Sequence, residues 1–561
     1  MTNPAVIQSI RRLANGVWIA SCAREHARFS AALKRAEAAQ RELLFNLLRR
    51  NADTRFGRQH GFAGIRRIEE YQARVPVAGY DANIGAIEAI ARGDQNVLTK
   101  DRVERFQLTS GSTSASKLIP WTASAAAEFR RGIAAFFFAL YRRQPALLRG
   151  SAYWAASPPA SRRKTACDLV IGFDRDSSYL GFFGQQLFNL VNAAPAKATQ
   201  ATEIDLFKDQ TLAALLADDG LAFVSIWSPT FLTLLLGHFV ARREVVLKLM
   251  ADRGGRRART RADELRCLTA AGQLEAGWLS RVWPNLRVIS CWNTGPSEIY
   301  AARLQALFPQ VEIHGKGLIA AEAFVSLPFE VGCDPVVAIR SHFLEFQNPD
   351  NGSVHLAHQL ARGQTYRVIV TTGSGLYRYS LGDLVQVTGF VDEAPCLRFL
   401  GREGNVSDYF GEKLNGCFVQ QAVARSFEIQ RITARFFLLA PVISEEGARY
   451  VLFLETDPHA NLEGLSETLD RLLRENPHYD HCRHLGQLAA CGVFLIDPAG
   501  RDGATCHNDE MLARGLKLGE IKLTPLDSRT GWESRFRGRF SPWRPRVDTG
   551  THVCNSSNAI T

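Results

Sequence analysis

A chain of 561 residues is too long for one ordinary hydrophobic core, so two domains, or one large domain with an appendage, are expected. Hydrophobic residues at 46% and charged residues at 22% give the balance of a soluble globular protein. The formal net charge of +11 comes from 67 Lys+Arg against 56 Asp+Glu, but the basic residues are scattered and no basic tract is interleaved with aromatics; this argues against nucleic acid and suits small anionic substrates.

The eleven cysteines form no C-x-x-C pair, which reads as reduced, mostly buried thiols in a cytoplasmic protein. His478, His481, Cys482 and His484 fit no zinc spacing and are read as structural. Arg11-Arg12 followed by an apolar run to Cys22 resembles a lipoprotein signal, but Asn15 and Gly16 interrupt it, and a helix is expected instead. The run Ile226 to Met250 contains Pro229, His238, Arg242, Arg243 and Glu244 and is too broken to span a bilayer. No membrane partner is therefore expected.

In chain order, residues 1–75 have helical periodicity, a turn follows Pro76, and a second helical patch runs to Arg92. Beyond the polar stretch after Leu108, residues through Arg143 predict a long buried helix. SAYW predicts a strand entering a Pro-Pro turn. Val224 to Trp227 reads as extended, with Pro229 placed to start a helix. NLRVIS predicts a strand and PSEIYAARLQALF a helix, so this part alternates as a largely parallel α/β arrangement does. From Glu330 the pattern changes to successive strands with polar turns, an antiparallel or barrel-like piece. A domain boundary is expected at Arg402 to Asp408, followed by a helical segment from Gly411, a strand hairpin, an amphipathic helix and a further strand. The expected organisation is an N-terminal domain over 1–401, a small mobile α+β lid over 402–540, and a disordered tail over 541–561.

The stretch LTSGSTSASKLIP, Leu108 to Pro120, carries the first chemical signal. Thr109, Ser110, Ser112, Thr113 and Ser114 around Gly111 offer hydroxyl and backbone donors, and Lys117 offers a mobile positive charge. Those are the parts of a polyphosphate cradle, although the Walker pattern is absent and a polar surface turn has the same composition.

Four further stretches follow in order: HGKGLIAAEAF (His314 to Phe324), GLYRYSLGDLVQVTGF (Gly375 to Phe390), GREGNVSDYFGEKLNG (Gly401 to Gly416) and LGEIKLTPL (Leu518 to Leu526). Together with Leu48 to Asn83 and Asn476 to Leu488, they resemble the auxin-responsive acyl acid–amido synthetases of plants and their bacterial relatives, a branch of the adenylate-forming superfamily. The resemblance spans residues 40 to 540 and rests on the ordered set, since each stretch alone is weak.

The resemblance implies an α/β fold with a large adenylate-forming domain and a small C-terminal lid. It also implies ATP and Mg²⁺, and an enzyme that adenylates a carboxylic acid and passes the acyl group to an amine, that of an amino acid. Choosing amine over coenzyme A rests on the resemblance alone; an acid–thiol ligase and a nucleotide-binding regulator that has lost catalysis are the alternatives. Glu322 is the implied Mg²⁺ ligand, a hard carboxylate oxygen, with Ala321 where a hydroxyl residue is usual. Gly317 and Leu318 of the same stretch are assigned to the nucleotide. Asp383 is assigned to both ribose hydroxyls. Tyr377 and Tyr379 are assigned either to the base or to the barrel interior, and Ser380 replaces a basic residue common in the family. Arg402 corresponds to the arginine that reaches the nucleotide at the hinge, and Lys522 to the lysine that offsets charge on the reacting oxygens, with Lys517 as its decoy. Trp227, Trp292, Phe182 and Phe183 are candidates for an apolar acid pocket, or for core.

Overall fold

The computed structural model describes residues 4–108, 117–155, 163–165, 167–172, 181–194, 201, 203–253, 255–268, 276–403, 406–444, 447–497, 501–516, 519 and 521–541. Most of the hydroxyl-rich stretch, from Thr109 to Ser114, therefore lies outside the described residues, as do Lys517 and the expected tail beyond Ser541. The chain divides into two compact units, one of Met1–Val406, Asn415–Gln420 and Ala504–Pro525, the other of Ser407–Leu414, Gln421–Gly503 and Leu526–Thr561. The segment carrying Lys522, expected on the lid, thus belongs to the first unit.

The first unit contains a four-stranded, all-parallel sheet in the order Ser151–Trp154, Leu221–Ser225, Val288–Ser290, Glu312–His314. Its central strands are apolar at nearly every position because both faces are covered. Phe223 and Val288 point into one core, with Phe136 and Phe137 of the helix Ala123–Arg143. Their neighbours Val224 and Ile289 point into another, with Phe207, Phe231 and Trp283. Alternate residues of each strand thus feed opposite cores, the period-two rule of a sheet.

Thr122 starts the helix Ala123–Arg143: its hydroxyl accepts from the Ala125 N–H at 3.1 Å and donates to the Gly373 carbonyl at 3.0 Å. At Gly132 the helix touches Phe324, where an added Cβ would sit 2.6 Å from the ring. Gly132→Ala is expected to destabilise the first unit by about 1–3 kcal/mol through overpacking. It should also disturb the turn two residues before Phe324; urea denaturation of the variant checks the first effect.

The β-rich region is a seven-stranded antiparallel sheet in the order Val354–Leu356, Phe343–Gln347, Thr365–Thr371, Tyr379–Val391, Ala394–Arg402, Val336–Val337, Ser326–Leu327. The strand Tyr379–Val391 alternates buried and half-buried residues, as one covered face requires. A second four-stranded sheet joins Leu118–Thr122, Val103–Leu108, Val170–Ile171 and Arg163–Lys164, and so the hydroxyl-rich stretch connects two antiparallel neighbours.

The second unit packs helices, among them Leu465–Leu473 and Pro477–His484, with the sheet Ala434–Ser444, Gly447–Thr456, Gly492–Ile496, Gly538–Phe540. The helix expected from Gly411 starts at Gly416, because Asn415 caps it by accepting from the Phe418 N–H at 2.9 Å. In Pro477–His484 the buried Cys482 faces the core while His478, His481 and His484 are exposed; no group of three metal ligands forms among the described residues. The expected signal-like run lies in the helix Pro4–Leu33, where Cys22 is buried and its thiol is pushed up to about 11 by that burial.

Candidate active site

The parallel strands deliver their following residues to one edge. Trp227 comes two residues after Leu221–Ser225, Trp292 two after Val288–Ser290, and Lys316 two after Glu312–His314. The carboxyl ends of parallel strands are where open α/β sheets bind ligands. The two indoles lie 5.7 Å apart at 40°, and the backbone N–H of Trp292 donates to the backbone carbonyl of Trp227 at 2.9 Å. Lys316 donates to the Ser225 hydroxyl at 2.6 Å with its ammonium 5.1 Å from the Trp227 ring centroid. Lys522 lies 5.0 Å from the centroid of Trp292. The aromatic pair thus carries an ammonium over each ring, a favourable placement for a cation on an indole face.

Glu322 sits at the tip of a tight hairpin that follows Lys316. Gly317 opens it at φ +74, and a Cβ there would lie 2.3 Å from the Ser326 carbonyl oxygen, so only glycine fits. The Leu318 N–H donates to the Ser326 hydroxyl at 2.9 Å, and the Ala320 N–H to the Ala323 carbonyl at 2.9 Å, which leaves Ala321 and Glu322 between them. Glu322 is buried, and its Oε1 has no hydrogen-bond partner. Burial raises its pKa; nearby Arg402 and Lys117 act in the opposite direction, and Asp383 adds to the rise. A buried, unpaired carboxylate oxygen is costly unless something binds it.

Asp383 and Arg402 face each other across the hairpin of Tyr379–Val391 and Ala394–Arg402. The Asp383 Oδ1 is 4.0 Å from the Arg402 Nε, and Arg402 also donates to the Leu381 carbonyl at 3.0 Å. Burial raises the Asp383 pKa, opposed by Arg402 and Lys522. Tyr379, also buried, is raised by burial and by Glu322. Lys117, at the end of the hydroxyl-rich stretch, lies 5.5 Å from the Tyr80 ring centroid, and the Tyr80 hydroxyl accepts from the Leu118 N–H at 2.9 Å.

The structure thus brings Lys117, Tyr379, Asp383 and Arg402 within electrostatic range of Glu322, and Tyr379, Arg402 and Lys522 within range of Asp383. Tyr377 is elsewhere: its ring stacks on Phe56 at 4.8 Å and its hydroxyl donates to the Leu98 carbonyl at 2.9 Å, so it fills core. Phe182 and Phe183 lie on the helix Gly181–Val191, and their side chains are outside the described residues. Lys316 and Tyr80 both lie in stretches that carry the family resemblance without a role of their own there, and only tertiary structure shows the hydroxyl and indole partners of Lys316.

The two raised carboxyls make a pH-dependent expectation. Below about pH 4 the folded and unfolded states both hold the Glu322 proton; above it the unfolded chain ionises first, so stability is lost as pH rises through the higher folded value. Glu322→Gln is therefore expected to melt higher than the parent chain at alkaline pH. The difference should shrink toward pH 4, and melting curves across that range check it.

The GH3 family N-terminal domain model matches residues 25–313, the GH3 family central domain 336–402 and the GH3 family C-terminal domain 418–525. The chain belongs to the GH3 family. Among GH3 relatives, indole-3-acetic acid-amido synthetase GH3.8 of Oryza sativa subsp. indica is 22% identical over 91% of this chain and 93% of its own length. Probable indole-3-acetic acid-amido synthetase GH3.12 of Oryza sativa subsp. japonica is 25% identical over 88% of this chain and 92% of its own. The solved structure of the AtGH3.15 acyl acid amido synthetase in complex with 2,4-DB superposes with a TM-score of 0.77 at 20% identity, covering 91% of this chain and 94% of that one. The α/β fold expected from sequence is thus the GH3 fold.

Proposed function

We propose that this GH3 protein is an ATP-dependent acyl acid–amido synthetase. The observation that carries the reading is the convergence of two buried carboxyls, Glu322 and Asp383, with Lys117, Arg402 and Lys522 beside the strand-end tryptophans. A carboxylate oxygen of the acid attacks the α-phosphorus of ATP, the bond to pyrophosphate breaks, and acyl-AMP forms. An amine then attacks the acyl carbonyl carbon, the C–O bond to AMP breaks, the amine loses a proton to solvent, and amide and AMP are released.

Each residue has a role in that sequence. The hydroxyl-rich stretch and Lys117 bind the departing phosphates. Asp383 accepts from the ribose hydroxyls, and Arg402 opposes the burial-driven rise in that carboxyl's pKa and reaches the phosphate. Lys522 offsets charge as it builds on the α-phosphate and acid oxygens. The unpaired Oε1 of Glu322 fits a Mg²⁺ ion, which would supply charge neutralisation on the phosphates; with no three-ligand cluster among the described residues, phosphate and water would complete its shell. The relatives' names give an amide as product, and the amine in this reading is that of an amino acid. The Trp227–Trp292 pair offers aromatic faces to the acid.

Asp383→Ala is expected to weaken ATP binding by roughly 2–3 kcal/mol, the loss of charge-assisted hydrogen bonds to two hydroxyls. Titration of the variant with ATP or AMP checks it; unchanged affinity removes the assignment. The function itself is tested by acid-dependent ATP–pyrophosphate exchange over aryl, indolyl and fatty acids, followed by trapping with amino acids or coenzyme A. An acyl-CoA product in place of an amide would overturn the choice of acceptor, and absence of exchange with every acid would overturn the enzyme reading.

A further inference from the structure

The parallel sheet has a second edge, opposite the candidate active site, where its strands begin. A cavity of about 510 Å³ lies there, lined by Gln8, Arg12, Arg149, Asn285 and Arg287, with Pro145, Ala146 and Leu148 as its apolar wall. Arg149 stands two residues before Ser151–Trp154, Arg287 immediately before Val288–Ser290, and Arg12 on the helix Pro4–Leu33. That helix is pinned to the edge. The Asn15 amide donates to the carbonyls of Leu148 and Gly150, the two neighbours of Arg149, at 3.1 Å each. Arg12 is three residues before Asn15 and Gln8 four before Arg12, so all three share one helix face. Arg11 bridges both oxygens of Asp218 at 3.1 and 2.7 Å, which ties the helix to the turn before Leu221–Ser225.

Three guanidiniums around one cavity repel one another unless an anion answers them. Among the described residues, no carboxylate lines the cavity. The carboxylates carried by the same turns and strands are spent elsewhere. Asp218 takes Arg11 and the Gly220 N–H, and Asp219 takes Arg257 at 2.7 Å. Glu312, whose N–H donates to the Arg287 carbonyl at 2.9 Å, gives its carboxylate to Arg143 and Gln144. Among the described residues Arg12 and Arg149 have neither an ion-pair nor a hydrogen-bond partner. Arg287 has backbone partners, the carbonyls of Pro284 and Leu286, to which its Nη1 donates at 2.9 and 3.1 Å. Arg12 and Arg149 are exposed and Arg287 is half-buried, so the cavity is open to solvent.

We propose that this cavity binds a small soluble organic phosphate, with the phosphate spanning Arg12, Arg149 and Arg287 and the organic part resting on Pro145, Ala146 and Leu148. A phosphate monoester carries about two charges and three acceptor oxygens, so it can bridge guanidiniums from three segments. A carboxylate has two coplanar oxygens and matches one guanidinium fork. The volume lies within roughly 300–1,000 Å³, the range of small-molecule sites. The site is separate from the proposed nucleotide site, whose residues follow the other ends of these strands or lie on the antiparallel hairpin. The sequence did not announce it, because its arginines stand far apart in the chain and share no motif.

The test is isothermal titration calorimetry of the full chain, with phenyl phosphate as the probe and citrate as the carboxylate control. Phenyl phosphate is expected to bind with a Kd below about 1 mM. Arg12→Gln and Arg149→Gln should each weaken it on the order of 10-fold, the loss of one charge-assisted hydrogen bond. Lys117→Gln, in the proposed active site, should leave that binding unchanged. Without ligand, both arginine variants should melt with the parent chain, since neither side chain has a partner to lose. A Kd above about 1 mM, or unchanged affinity in either arginine variant, overturns the proposal. So does a loss confined to Lys117→Gln, which would place the phosphate in the active site. A lowered melting temperature in either arginine variant would give that residue a structural role and overturns the proposal as well. Citrate binding as tight as phenyl phosphate overturns the phosphate assignment.

Discussion

Lys522→Ala is expected to slow adenylation by two or more orders of magnitude, about 2.7 kcal/mol or more of lost transition-state stabilisation. The ammonium lies over the Trp292 face and, after Arg402, opposes the burial-driven rise in the Asp383 pKa, so it stands between the aromatic pair and the proposed ribose anchor. ATP affinity should change little, because Asp383, Arg402 and Lys117 remain. Its effect belongs to the first half-reaction, in which charge grows on the acid and α-phosphate oxygens. A pair of single-turnover assays separates the steps: pyrophosphate release from acid and ATP, and amide formation from supplied acyl-AMP. Equal damage in both would make Lys522 structural. No damage, with Lys517→Ala severe, would give the role to Lys517.

Arg378→Ala should cost about 3–5 kcal/mol of stability, the penalty for leaving a buried charge without its partner. Arg378 is buried at φ +46, a backbone region that side chains seldom occupy, and its Nε donates to Glu345 at 3.0 Å. Its Nη1 also donates to the carbonyls of Gln72 and Val75 at 2.8 Å each. Burial raises the Glu345 pKa and Arg378 opposes the rise, so removing the arginine leaves a carboxyl that must either take a proton or remain uncompensated. Arg378→Met/Glu345→Gln should recover much of the loss by removing both charges. Urea denaturation of the single and double variants measures the difference; a double variant as unstable as Arg378→Ala would place the cost in the Gln72 and Val75 carbonyls.

Much of the fold was legible because it rests on periodicity. The alternation in Tyr379–Val391 and the apolar run Leu221–Val224 that opens the strand Leu221–Ser225 each announce their sheet environment. Pro229 announced a helix start, and Pro4–Leu33 formed despite Asn15 and Gly16 because Asn15 spends its amide on carbonyls of another segment. The site was legible only in part. Glu322, Asp383, Arg402 and Lys522 stood in quoted stretches, but their mutual approach comes from a glycine-only turn and a cross-strand register that spacing does not encode. Tyr377 and Tyr379, two residues apart, part ways for the same reason: the positive φ of Arg378 between them breaks the alternation that would put them on one face. Tyr377 goes to core beside Phe56, while Tyr379 goes to the carboxyls.

The parts of the site come from different sheets. Trp227, Trp292 and Lys316 follow parallel strands, whereas Asp383 and Arg402 belong to an antiparallel hairpin. On the proposed function, drift in the residues after the parallel strands would therefore retune which acid is accepted with the proposed ribose anchor, Asp383, left on its own hairpin. With that function, a lineage built this way would diversify its substrates one loop at a time while its energy source stays constant, and a directed-evolution library that varies Trp227 while keeping Trp292, whose ring lies under Lys522, would explore that freedom.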